Sequence, residues 1–273
     1  MSIVRSYARE PHLARNLAWR VPRTVGASKV VFVVGAPRSG TTLLQSVLAA
    51  HSRLFSIPGE TGLFSRQNIF GRRHFGLSWD ENRALFRESR DLVDFFDRAV
   101  ALLESRNGGQ TFVEKTPQHV LRLRFLMRRF PSGRFVHVVR DGRDCYVSAR
   151  GHPGIPQAGS ARRFAEYWRR CIDAGLGLAG HPALISVRYE DFVRSAPREL
   201  DRVMRFLELA PEPGQLDPGR FGGNKRGGRE EFRLLRTPVS DSRVGRWTLE
   251  LSPEERADFE RVARAQLVAF GYL

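Results

Sequence analysis

The sequence predicts an α/β fold, with a central parallel β-sheet flanked by helices. Three observations point there: apolar β-branched runs of strand length, amphipathic stretches of helix length, and the regular alternation of the two along the chain. Strands of a parallel sheet are buried on both faces and read as near-continuous apolar runs; Lys29-Val-Val-Phe-Val-Val34 is one. A glycine-bearing loop follows, then Thr41 to Ala50, with Leu43, Leu44, Val47 and Leu48 at helical spacing. A short strand is expected at Leu54 to Ile57, ahead of Pro58-Gly59. From Trp79 to Ser105 apolar residues recur at helical spacing, predicting one long helix that Asn107-Gly108-Gly109 stops. Next come a strand at Thr111 to Val113, a basic helix at Pro117 to Phe130 and a strand at Arg134 to Val139. Helices are expected around Cys145 to Arg150 and over Arg162 to Leu178, then a strand at Ala183 to Val187 and a helix at Pro197 to Leu209. Residues 211 to 240, rich in Gly, Pro and charge, read as a long loop, either a lid or a surface insertion. A last helix covers Ser252 to Phe270.

Composition narrows the class. At 273 residues the chain can bury a sizeable core, and residues 1–28 read as an N-terminal arm before a single domain at 29–273. The recurring apolar runs argue against disorder. No membrane span is expected, since runs such as Val30 to Val34 fall far short of the roughly 20 residues a bilayer requires. Arginines interrupt the N-terminus and leave no apolar signal core, which predicts a cytoplasmic protein. Cys145 and Cys171 have no metal-ligand or disulfide spacing and are expected as buried free thiols. The charge is +16, from 45 Lys+Arg against 29 Asp+Glu, and only Lys29, Lys115 and Lys225 are lysines. A nucleic-acid partner is not expected, because no stacking or recognition module accompanies the charge.

Gly35-Ala-Pro-Arg38-Ser39-Gly40-Thr41-Thr42 lies between a buried strand and an amphipathic helix. In that setting, loop amides and the helix dipole converge on one point and hold an anion, most simply a phosphate. The spacing is that of the P-loop G-x-x-x-x-G-K-[ST], except that Thr41 stands where the lysine belongs. A P-loop kinase needs that lysine and a metal-binding Asp; here Arg140 precedes Asp141 instead, which disfavours the kinase reading.

The loop resembles the 5′-phosphosulfate loop of sulfotransferases that use 3′-phosphoadenosine 5′-phosphosulfate (PAPS), in the Pro-Arg-Ser-Gly-Thr-Thr form of tyrosylprotein and many bacterial sulfotransferases. The resemblance implies a P-loop-like sulfotransferase fold. It also implies transfer of a sulfuryl group from PAPS to a hydroxyl or amine of a small-molecule, carbohydrate or peptide acceptor. Adenosine 3′,5′-bisphosphate (PAP) would be the product, with no metal required. On this resemblance Arg38, Ser39, Gly40, Thr41 and Thr42 bind the 5′-phosphate. Arg140 at a strand end and Ser148 eight residues on match the 3′-phosphate motif. Glu114-Lys115-Thr116-Pro117 is similar to the Glu-Lys-Ser-Pro of glycosaminoglycan sulfotransferases, with Lys115 and Arg38 expected at the leaving oxygens. Pro58-Gly59-Glu60-Thr61 places Glu60 where those families carry the catalytic base. His119 competes, because cytosolic sulfotransferases use a His that follows the lysine. Two weaker matches are Tyr189, in Arg188-Tyr-Glu-Asp191, near the nucleotide, and Arg243, before Gly245-Arg-Trp247, near the 3′-phosphate. Arg66, Arg72 and Arg73 suit an anionic acceptor or a charged exposed face.

Overall fold

Strand β1 (Val31–Gly35) is buried along its whole length, and its side chains alternate between two cores. Val31 and Val33 meet Leu44, Val47 and Leu48; Phe32 and Val34 join Phe96, Phe130 and Phe135 on the other face. The remaining strands are β2 (Leu54–Phe55), β3 (Thr111–Lys115), β4 (Arg134–Val139) and β5 (Leu184–Arg188). They run parallel in the order β2-β3-β1-β4-β5. This computed structural model describes residues 17–19, 21–65, 69–70, 73–221 and 234–273.

The helices cover both faces. Helix α1 (Thr41–Ala49) lies on one side with α7 (Tyr189–Arg194) and α8 (Ala196–Phe206). On the other lie α3 (Leu92–Arg106), α6 (Ala161–Leu176) and α10 (Pro253–Ala269); α2 (Trp79–Glu88) packs beside α3. Short helices α4 (Leu123–Arg129), α5 (Gly142–Ala149) and α9 (Trp247–Glu250) complete the set. Among the described residues no helix is long and apolar enough to cross a membrane. Cys145 and Cys171 are buried and free.

Three expected helices differ. The single helix expected over 79–105 is two, because the Asp91 carboxylate accepts the N–H groups of Val93 and Asp94 and starts a new helix. The same carboxylate accepts the N–H groups of Arg23 and Thr24, and Asp97 accepts those of Ala27 and Ser28. With Trp19 buried against Phe86 and Phe95, residues 19 and 21–28 of the expected arm are tied to α3; residues 1–16 lie outside the described ones. The helix expected from Pro117 begins as a 3₁₀ turn (Pro117–Arg122), which turns His119 inward onto Glu114 before α4 starts. The one expected from Pro197 is preceded by α7, with Ser195 as a non-helical break. Of the long loop at 211–240, Phe221 and Leu235 are buried in the core under α8, and 222–233 lie outside the described residues.

His137, central in β4, is fully buried, and neither ring nitrogen has a partner. Only glycine fits opposite it, since a Cβ on Gly175 would lie 2.1 Å from its Nδ1. Burial lowers its pKa from 6.5 to about 4. Between those values the unfolded chain takes up a proton that the folded chain refuses, so stability is full above pH 6.5 and declines as pH falls toward about 4. The slope is at most about 1.4 kcal/mol per pH unit. Thermal melts across this window should show a falling Tm, and His137→Leu should flatten that part of the curve.

Candidate active site

The strand order creates the site. The chain leaves β1 toward β3 and β2 but leaves β4 toward β5, so the loops after β1 and β4 diverge and open a crevice at the carboxyl edge of the sheet. Register sets the two strand ends level, with Gly35 opposite Val138. Gly35 must be glycine, because a Cβ there would lie 2.4 Å from the Val138 carbonyl oxygen.

The loop from β1 to α1 contains two left-handed residues, Arg38 (φ 68°) and Gly40 (φ 96°). Gly40 is the N-cap of α1, and no side chain caps that end. The amides of the first helical turn therefore face the crevice without intrahelical partners. Ser39 Oγ is also buried with no partner. These donors, together with the dipole of α1, make an anion cradle.

Arg140 closes the other wall. Its guanidinium donates to the backbone carbonyls of Arg38 (3.2 Å) and Arg243, lies 3.7 Å from Asp144 and stacks 4.5 Å from the Tyr189 ring centroid. Its Nε is buried and unpartnered. Tyr189 in turn rests on Gly40, where a Cβ would come within 2.5 Å of its ring. Arg38 Nε donates to Ser148 Oγ at 3.0 Å, so the first loop reaches helix α5 directly. Asp144 accepts the N–H groups of Gly245 (2.8 Å) and Trp247 (3.0 Å), fastening the segment that carries Arg243; burial raises its pKa despite those bonds. Arg38, Ser39, Gly40, Arg140, Ser148, Tyr189 and the Arg243 backbone thus meet at one crevice, and Thr41 and Thr42 open α1 beside it.

Beyond the end of β3, Lys115 Nζ forms an ion pair with Glu60 Oε1 at 3.0 Å, the lysine buried and the glutamate about a third exposed. Beneath the pair sits Glu114, fully buried. It accepts from Thr61 Oγ1 (2.6 Å), Thr116 Oγ1 (2.6 Å) and His119 Nδ1 (3.0 Å). Burial alone would raise the Glu114 pKa, but His119 and the two hydroxyls outweigh it and hold the carboxyl below its ordinary value. The Phe64 N–H donates to His119 Nε2, and the Gly62 N–H donates to Thr116 Oγ1. His119 therefore has both nitrogens engaged and no exposed surface. The network pins residues 61–64 and, with them, the position of Glu60.

Glu114, Asp144 and Glu190 brace the segments that carry the candidate residues, and sequence reasoning passed over them. Each lies inside a motif already noted, and the signal available was a carboxylate beside a site cation. Glu190 accepts the Asp141 N–H (3.0 Å) and the Tyr272 hydroxyl (2.7 Å), bracing the turn after Arg140. Of the arginines near the 62–106 segment, Arg73 is exposed, and Arg66 and Arg72 lie outside the described residues.

A sequence model of the sulfotransferase family matches residues 30–213, and the chain belongs to that family. It is 28% identical to the nodulation protein NoeE of Sinorhizobium fredii over 89% of this chain and 66% of that protein. It is 23% identical to protein-tyrosine sulfotransferase 1 of Danio rerio, over 89% of this chain and 72% of that protein. The chain spans about two thirds of the length of the first curated relatives it matches. The fold is shared with the sulfotransferase domain of the Synechococcus olefin synthase (TM-score 0.65, 21% identity, 90% of this chain and 97% of that one). It is also shared with a mouse sulfotransferase solved with PAP (TM-score 0.58, 13% identity, 93% and 90%).

Glu114→Gln keeps the shape but removes the charge that two hydroxyls and an imidazole address. It should cost about 2 kcal/mol of folding stability, read as a lower midpoint in urea unfolding.

Proposed function

We propose that this chain transfers a sulfuryl group from PAPS to a hydroxyl or amine of a small-molecule, carbohydrate or peptide acceptor. The observation that carries the reading is a pair of unmet donor sets, the uncapped α1 terminus on one wall of the crevice and Arg140, with its unpartnered buried Nε, on the other. Such orphaned donors are costly unless an anionic ligand meets them. A nucleotide phosphorylated at both 5′ and 3′ positions suits two sites; the structural relative bound to PAP supports that choice.

In this reading the loop amides, Ser39, Thr41 and Thr42 hold the 5′-phosphate, while Arg140, Ser148 and the segment around Arg243 hold the 3′-phosphate; Tyr189 packs beside both. Glu60 removes the acceptor proton as the acceptor oxygen bonds to sulfur. The bond from sulfur to the phosphate oxygen breaks, and Lys115 and Arg38 offset the charge left on PAP. The buried, doubly bonded imidazole of His119 favours Glu60 as the base.

Arg140→Ala should weaken PAP binding by about a hundredfold, and binding of adenosine 5′-phosphate far less, in calorimetric titration. Equal losses for both nucleotides would remove the 3′-phosphate assignment. Glu60→Gln should lower kcat with labelled PAPS by about a hundredfold or more while PAP affinity is retained; full turnover would exclude Glu60 as the base.

A further inference from the structure

Helix α10 ends at Ala269, and the residues just beyond it reach the turn that follows Arg140. Gly271, left-handed at φ 69°, reverses the chain there. Its N–H returns to the Val268 carbonyl at 3.0 Å, and the Tyr272 N–H returns to the Leu267 carbonyl at 2.8 Å, the paired bonds of a Schellman turn. This bend lays Tyr272 against the ends of β4 and β5. The Arg188 guanidinium lies 4.9 Å from its ring centroid, its hydroxyl donates to Glu190 Oε2 at 2.7 Å, and its carbonyl accepts from Arg143 Nη2 at 2.8 Å.

Both bonds lead to the same turn. Glu190 Oε1 accepts the Asp141 N–H at 3.0 Å, and Arg143 holds the Asp141 carboxylate at 2.7 Å. Glu190 also follows Tyr189, whose ring covers the Arg140 guanidinium. Two consecutive residues of α7 therefore clasp two consecutive residues at the end of β4. Tyr189 takes the Arg140 side chain, and Glu190 takes the amide after it. The Glu190 carboxylate is buried, so water cannot replace a donor it loses, and the Tyr272 hydroxyl fixes the oxygen that the Asp141 amide leaves open. Arg143 carries the same support further: it pairs with Glu260 of α10 at 2.6 Å and lies 3.7 Å from the Trp247 ring centroid. Trp247 belongs to the segment whose Arg243 carbonyl accepts from Arg140.

We propose that Tyr272 is a positioning residue for the 3′-phosphate site: through Glu190 it fixes the Asp141 amide and the Tyr189 ring, and so the direction in which Arg140 presents its guanidinium. The inference rests on the sulfuryl-transfer reading and adds to it a residue outside the motifs that reading uses. The test is calorimetric titration of the full chain with PAP and with adenosine 5′-phosphate. Tyr272→Phe removes only the hydroxyl and keeps both the ring beside Arg188 and the carbonyl toward Arg143. It should weaken PAP binding about tenfold and adenosine 5′-phosphate binding less than about twofold. In the Arg140→Ala background the same substitution should change PAP binding less than about twofold, because the group it positions is gone. Equal losses for both nucleotides, with a lower melting temperature, would mark a merely structural contact and overturn the proposal. Unchanged PAP affinity, or a tenfold loss that persists without Arg140, would overturn it too. A wild-type chain that binds the two nucleotides alike would overturn the 3′-phosphate reading and this inference with it, whereas a wild-type preference for PAP that Tyr272→Phe leaves intact overturns this inference alone.

Discussion

A guanidinium taken out of water must have its donors met, and the architecture around Arg140 follows from that constraint. Two backbone carbonyls, one from the loop after β1 and one from the segment before α9, converge on it. Asp144 lies close by, and the Tyr189 ring covers its face. Because each partner comes from a different part of the chain, satisfying this one cation fixes the relative positions of the phosphate loop, α5, α7 and the segment at 243–247. The donor left unmet is the Nε.

The other flank of β1 repeats the logic with the opposite sign. Glu114 is a buried carboxylate, and three donors from both sides of Pro117 and from the 61–64 segment gather on it. Neither centre touches the other, yet β3 and β4, from which they hang, both pair with β1, one on each side of it. The rigid sheet therefore holds the Arg140 wall and the Glu60–Lys115 pair in fixed relation without a direct bond between them.

Much of this was legible in the chain. The runs at Lys29–Val34 and Arg134–Val139 announce doubly buried strands, and a glycine loop between strand and helix announces an anion cradle. Arg140, Ser148, Lys115 and Glu60 stood out because the motifs that carry them resemble those of sulfotransferases. The break between α2 and α3 was passed over, although five polar residues, Arg87 to Asp91, interrupt the apolar period there and Asp91 caps α3 through the Val93 and Asp94 N–H groups. By contrast, nothing in one dimension says that His119 turns inward onto Glu114 or that Thr61 joins it from 53 residues away. Long-range polar pairing, unlike hydrophobic period, leaves no local trace.

Asp91 and Asp97 carry a consequence for how the chain assembles. Their bonds to Arg23, Thr24, Ala27 and Ser28 close loops with sequence separations of 67 to 70 residues. During synthesis the amides of 23–28 emerge long before either carboxylate exists, so this stretch has only water as its partner until α3 has left the ribosome. Closure of this belt comes after local helices form, and its two aspartates serve as the clasp.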